Sequence, residues 1–215
     1  MSAKEGLCDD LTLASLMHVP FDGWTADSLI RGADDIGLTC DDVNVLFPNG
    51  PRGVVNHWFD LADRFMLEDL MAVDLGSLRI RDRIATIVRV RLTRWTPHRE
   101  AVRRAIALSI LPGFAENSVR SGYATIDAIW RAAGDTATDF NFYTKRGLLA
   151  AVYSSTLLVW LDDRSEGCAD TWAFLDRRIA NVMKVPKIQA RLEEAFSRLP
   201  NPLSALRRVR QAVLR

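Results

Sequence analysis

Cysteine and histidine are both scarce. The three cysteines, Cys8, Cys40 and Cys168, are odd in number and widely scattered, and none stands in a CxxC or Cys/His spacing. This speaks against a disulfide framework or a zinc cluster and leaves buried or idle thiols of a reducing cytosol. The three histidines, His18, His57 and His98, fall in no HExxH or HxH spacing. There is no P-loop, no GxGxxG and no GxSxG. No catalytic residue, metal or cofactor is therefore assigned, and the chain is read as non-catalytic. Long apolar runs are missing too. The longest, residues 148–161, is interrupted by Ser154, Ser155 and Thr156 and falls short of the ~20 residues that span a bilayer. Residues 1–10 lack the apolar stretch of a secretory signal and carry acid. These absences imply a cytoplasmic chain, soluble or at most peripheral on a membrane.

Alternation of period two between turn clusters is also lacking, and helical periodicity takes its place. Ala26, Leu29, Ile30, Ala33 and Ile36 form one stripe; Val54, Val55, Trp58, Ala62, Phe65 and Met66 form the next. Three more run from Ile80 to Trp95, from Val119 to Trp130 and from Trp172 to Met183. Each carries charge on its far side, as a core-facing helix does. Breakers separate them, including Gly37, Pro48 to Pro51, Gly76, Pro97, Pro112-Gly113, Gly134 and Gly167. The pattern predicts an all-α protein of about ten helices. Residues 140–161 are apolar nearly all round, which predicts a central helix, buried on most sides or at a subunit interface. With 48% hydrophobic and 26% charged residues in 215, the chain is one large domain, or one with a small headpiece.

The front end has the layout of a DNA reader. Residues 7–18, 25–36 and 40–46 read as three short helices, with Thr25 at an N-cap and Gly37 ending the second in a tight turn. Ala33, four before Gly37, is the small residue expected where the partner helix crosses. This is a helix-turn-helix arrangement, and it resembles the head of the TetR regulators, with a larger ligand-binding body behind it. Charge opposes that use. Between residues 21 and 49 stand six aspartates and one base, Arg31. The recognition-helix position opens with Asp41-Asp42 and carries no base, whereas affinity for nucleic acid rests on Lys and Arg neutralising phosphates. Binding to nucleic acid is therefore not expected, and a ligand-responsive TetR-type regulator is kept as the alternative function.

Two basic regions follow. Nine arginines lie between Arg79 and Arg104, read as a solvated face snorkelling over a bundle, with an anionic surface or acidic partner as the alternative. After Pro202, Leu203, Leu206, Val209 and Val213 recur at helical spacing among Arg207, Arg208, Arg210 and Arg215, and no acid follows Glu194. This is a short basic amphipathic helix suited to a membrane interface, or to packing on its own bundle or a second subunit.

The most specific stretch is Thr138-Asp139-Phe140-Asn141-Phe142-Tyr143-Thr144-Lys145-Arg146, preceded by Ala133-Gly134-Asp135 and followed by Asp170-Thr171-Trp172-Ala173-Phe174-Leu175. Together with Val19-Pro20-Phe21-Asp22-Gly23-Trp24-Thr25, Leu29-Ile30-Arg31-Gly32-Ala33 and Ile80-Arg81-Asp82-Arg83-Ile84, it resembles the coenzyme Q biosynthesis protein nine family over about residues 10–185. The resemblance implies a TetR-like bundle that has left transcription, binds isoprenoid or phospholipid ligand, and pairs as a homodimer. It implies docking on the inner membrane through Leu203, Leu206, Arg207, Arg208, Val209, Arg210 and Val213. It further implies assistance to the di-iron hydroxylase of demethoxyubiquinone. The partner-facing patch carried over is Asp127, Ile129 and Trp130, then Asp139, Asn141, Phe142, Tyr143 and Arg146. The lipid-facing positions are Ile84, Val88, Tyr123, Ile126, Val152 and Trp172. Three parts are implied: a head over 1–49, a lipid-binding and dimerising bundle over 50–198 and the basic helix over 199–215. The turn Leu111-Pro112-Gly113-Phe114-Ala115-Glu116-Asn117 departs from the family pattern, which bears on the pocket entrance.

Overall fold

The computed structural model describes residues 2–111, 113–134 and 141–183, with side chains at all of these except 116 and 141–144. Among the described residues the regular elements are helices, with no strand. They are α1 (Ala3–Ser15), α2 (Val19–Asp22), α3 (Ala26–Asp35), α4 (Cys40–Leu46), α5 (Gly50–Leu70), α6 (Ile80–Arg94), α7 (Arg99–Ser109), α8 (Ala115–Ala132), α9 (Asn141–Asp162) and α10 (Ala169–Val182). The chain divides into two units, Met1–Asp176 and Arg177–Arg215. All that follows concerns the first.

The head forms for local reasons. Ser2, Thr25 and Thr39 each accept a hydrogen bond from the backbone N–H three residues on, and Glu5, Ser28 and Asp42 answer by accepting from the cap backbone. Three helices thus start with reciprocal capping. After α3, Leu38 N–H donates to the Ala33 carbonyl at 2.8 Å and Gly37 N–H to that of Asp34 at 3.2 Å, with Gly37 at φ 74°. This is a Schellman stop, and the left-handed residue it needs is the expected glycine. The small residue at the α1–α3 crossing is Gly32 rather than Ala33. A Cβ on Gly32 would lie 2.6 Å from the Ser15 backbone nitrogen, whereas Ala33 fits as an ordinary buried residue.

The head is locked to the body by chemistry as well as packing. Asp9 of α1 accepts from both terminal nitrogens of Arg64, at 2.5 and 2.9 Å, and pairs with His57 Nε2 at 2.6 Å, both on α5. Burial would raise the Asp9 carboxyl, but the hydrogen bonds from Arg64 and His57 hold it below its ordinary value. Trp24, between α2 and α3, donates Nε1–H to the Ala101 carbonyl of α7 at 3.0 Å and lies 5.4 Å from the Trp58 ring. Trp58 in turn meets Trp95 edge-on at 5.2 Å. This tryptophan column, with Leu61, Met66, Ile87, Ile129 and Trp160, makes the centre of the core.

The arginine-rich stretch is not an exposed basic patch. Arg83 donates to the carbonyls of Leu78, Gly76 and Ala133, Arg99 to that of Asp163, and Arg103 to that of Leu161. Arg89 binds Asp176, Arg94 binds Asp69 over the face of Phe65, and Arg104 binds Glu100 and the Pro20 carbonyl. Even the exposed Arg79 and Arg81 meet Asp82. These side chains satisfy helix ends and tie helices together.

Candidate functional site: an apolar cavity in the helical body

One face of α9 sets the cavity. Arg146, Ala150, Tyr153, Leu157 and Trp160 recur at helical spacing and all line it, a run of about 21 Å at 1.5 Å per residue. Opposite stand Trp58, Phe59 and Ala62 of α5, then Leu92 and, just past α6, Trp95. Val102 and Ile106 of α7 and Tyr123 and Ile126 of α8 complete the wall. The volume of this half-open cavity is about 620 Å³. That is within the range of small-molecule sites, and the lining is overwhelmingly apolar and aromatic. Val119 and Tyr123 are largely exposed, so α8 forms the rim.

Two ion pairs interrupt the apolar wall. Arg91, 5% exposed, donates Nε–H to the Tyr153 hydroxyl at 3.0 Å and Nη2–H to Thr125 Oγ1 at 3.3 Å, and its Nη1 meets Asp63. Thr125 in turn donates its hydroxyl to the Asp63 carboxylate at 3.0 Å. Burial drives the Asp63 carboxyl above its ordinary range against the pull of Arg91. Burial would likewise lower Arg91, but Tyr153 and Asp63 reverse this and hold it above its usual value. At the other end Arg146 binds Asp127 through Nη2 at 2.5 Å and Nε at 2.8 Å, and Arg131 reaches the same carboxylate at 2.7 Å. Each arginine in the wall is thus neutralised by a carboxylate.

The residues carried over from the family resemblance are scattered by this geometry. Of the lipid-facing positions, Tyr123 and Ile126 line the cavity. Ile84, Val88 and Val152 are buried core residues away from its lining, and Trp172 is half-buried, donating to the Gly167 carbonyl at 2.7 Å under Arg89. Of the partner-facing positions, Ile129 is fully buried and faces the interior, and Arg146 is buried against Asp127 on the cavity wall. Trp130 is half-buried; it donates to the Lys145 carbonyl at 3.2 Å, with the Lys145 ammonium 5.9 Å from its ring. Asp139, the side chains of Asn141, Phe142 and Tyr143, and the tail positions Leu203, Leu206, Arg207, Arg208, Val209, Arg210 and Val213 lie outside the described residues. The wall residues missed from sequence include Trp58, Phe59, Leu92, Trp95, Tyr153 and Trp160.

The turn from α9 to α10 is held by Asp163, which accepts from the backbone and hydroxyl of Ser165 and from those of Thr171, all within 2.9 Å. Burial opposes its charge, but these four hydrogen bonds hold its carboxyl far below the usual range. Among the described residues no group of three His, Cys, Asp or Glu could hold a metal, and no helix is long and apolar enough to cross a membrane.

By fold this is a TetR-type helical protein. The TetR transcriptional regulator from Nitrosomonas europaea superposes with a TM-score of 0.69 over 83% of this chain and 98% of its own, at 20% identity. The resemblance to the coenzyme Q biosynthesis protein nine family is shown in sequence: the COQ9 family model matches residues 115–186. The human mitochondrial ubiquinone biosynthesis protein COQ9 is 32% identical over 190 residues, 85% of this chain and 59% of that protein. The Drosophila melanogaster COQ9 is 32% identical over 184 residues, 84% of this chain and 56% of that one. The chain thus spans under two thirds of the length of these relatives.

Proposed function

We propose that this chain is a non-catalytic, lipid-binding accessory of ubiquinone biosynthesis. It holds an isoprenoid quinone intermediate in its body, rests on the inner face of a membrane through the basic segment 203–213, and presents its ligand to the di-iron demethoxyubiquinone hydroxylase. The observation that carries this reading is the 620 Å³ apolar cavity inside a TetR-type body with COQ9 relatives. Pairing into a homodimer is part of the reading, supported by the exposed apolar residues Val119 and Leu158 on α8 and α9. Delipidated protein should bind isoprenoid quinone and float with vesicles containing anionic lipid; binding to neither would sink the proposal. Truncation after Met183 should abolish flotation while quinone binding persists. Trp130→Ala should weaken stimulation of the hydroxylase about tenfold without lowering Tm by more than a few degrees, as expected for an aromatic interface anchor.

The regulator alternative draws on the fold alone. The exposed side of α4 presents Cys40, Asp41, Asn44 and Val45, none of them basic. A gel shift at low salt that weakens steeply with added salt would reverse the choice.

A further inference from the structure

The stretch from Val19 to Thr25 is only partly used by the fold. Val19 and Trp24 are buried in the core, but Phe21 is 84% exposed, and Met17, four residues before it, is 63% exposed. These two close one end of an apolar line. Leu7, Ala14 and Met17 recur at helical spacing along the outer side of α1 and the turn after it, with Asp10 among them. Leu7 and Asp10 are exposed and Ala14 is half-buried. Single exposed apolar residues are ordinary, whereas a line of them ending on a bare aromatic marks a contact surface.

Two cross-links fix what flanks Phe21. His18 Nε2 meets Asp35 Oδ2 at 2.6 Å, and Asp22 meets Arg31 at 3.5 Å, so α2 lies antiparallel along the exposed side of α3. That side also carries Asp27 and Asp34, four before and three after Arg31, and both are exposed. Among the described residues Asp10, Asp27 and Asp34 have no ion-pair partner. Bases that could neutralise the face are few. Over residues 1–49 there are nine acids and two bases, Lys4 and Arg31. Lys4 stands at the end of α1 away from Met17, and Arg31 is taken by Asp22. Arg104, which reaches the Pro20 carbonyl from α7, is held by Glu100.

We propose that this face, with Leu7, Met17 and Phe21 flanked by Asp10, Asp27 and Asp34, docks a basic amphipathic helix of a partner protein. Met17 and Phe21 receive the apolar side of that helix, and the unpaired aspartates receive its Lys or Arg side chains. The charge decides against other occupants. Nucleic acid and an anionic membrane surface are both repelled by it. A neutral apolar partner would cover the carboxylates without supplying them a counter-charge. The face shares no residue with the cavity, so the inference stands apart from the lipid-binding reading.

The test uses the full-length protein labelled with carbon-13 at the methionine methyls. The probe is a synthetic amphipathic peptide of leucine and lysine, about fourteen residues or roughly four helical turns. Its leucine–glutamate counterpart and an oligolysine of equal charge are the controls. The leucine–lysine peptide should shift the Met17 methyl and leave that of Met66, buried in the core, in place. It should bind about tenfold more tightly than oligolysine, and the glutamate peptide should not bind. Raising salt from about 50 to about 300 mM should weaken it about tenfold. Phe21→Ser should weaken it about tenfold and Asp34→Asn about threefold, with Tm within a degree or two of the parent because both side chains are exposed. Met71→Ser, at an equally bare methionine beyond α5, should change nothing. Binding that ignores Phe21→Ser, oligolysine binding as tightly, a Met71 methyl that shifts as much as Met17, or no binding at all would overturn the inference. A change in the parent's own sedimentation on Phe21→Ser would make a second copy of the chain the occupant and overturn the assignment to a partner.

Discussion

The head and the body hold charge in opposite ways. In the head the acids outnumber the bases and, apart from the buried Asp9, lie mostly toward the surface. Asp42 caps α4, Asp35 meets His18 at 2.6 Å, and Asp22 meets Arg31 at 3.5 Å. In the described body acids and bases are nearly balanced, and its arginines run inward to carbonyls and carboxylates, with two of them buried on a cavity wall. A linear count of charge therefore misjudges both regions. The head has a regulator's backbone without a phosphate-binding surface, and the arginine-rich body has a largely apolar interior.

The comparison breaks most sharply at Asp63. Removing it leaves Arg91 buried without its counter-charge, so Asp63→Ala should cost about 3–5 kcal/mol in urea unfolding. The double variant Asp63→Leu with Arg91→Leu should recover most of that loss, because a buried pair is replaceable by packing. If Asp63→Ala unfolds like the parent, the neutralised wall is not a structural element. In the head the corresponding sensitivity is steric. Gly32→Ala forces a methyl onto the Ser15 backbone and should cost about 1–3 kcal/mol. Ala33→Gly, one residue on, should cost only about 1 kcal/mol through helix propensity and lost packing. Equal losses at the two positions would move the crossing point back to Ala33.

Next in size is a pH effect confined to the body. Asp163 is held ionised well below its ordinary pKa by Ser165 and Thr171, so its folded value lies under its unfolded one. Stability from this group is present above about pH 4 and is lost as pH falls further. Asp163→Asn should flatten the acid limb of a Tm-against-pH profile and lower Tm by several degrees at neutral pH. An unchanged acid limb would remove Asp163 as the fastener of the α9–α10 turn.

The fold was largely legible. Thr25, Gly37 and the stripes are local signals, and the helices they mark appear within a few residues of the expected ends. The short α2 escaped because four residues around Pro20 carry no periodicity. The site was legible only in part. Tyr123 and Ile126, named from the family resemblance, line the cavity. α9 is apolar on nearly every side, so its cavity-facing residues could not be told from its core-facing ones. Trp58, Leu92 and Trp95 sit on correctly read stripes, but a stripe gives the inward direction and not whether the interior there is packed or hollow. Ile129 and Arg146 were assigned outward for a related reason: an apolar side chain or charge beside an aromatic reads as an interface anchor until a buried partner, here Asp127, is seen.

The smallest effect separates two neighbouring acids of the head. Asp41 is exposed and makes no capping bond, whereas Asp42 accepts from the Thr39 backbone at 2.8 Å and hydroxyl at 2.6 Å. Hydrogen bonds from Thr39 hold the Asp42 carboxyl below its ordinary value. Both acids favour the start of α4 through its dipole, a contribution salt screens. Only Asp42 adds a directional bond that salt leaves largely intact. Asp42→Asn should therefore lower Tm by a degree or two at high and low salt alike, while Asp41→Asn should shift it measurably only at low salt. If the two variants behave identically across a salt series, the acids at α4 act merely as point charges. The head's acidity would then be an electrostatic surface in its own right, not a set of helix fasteners.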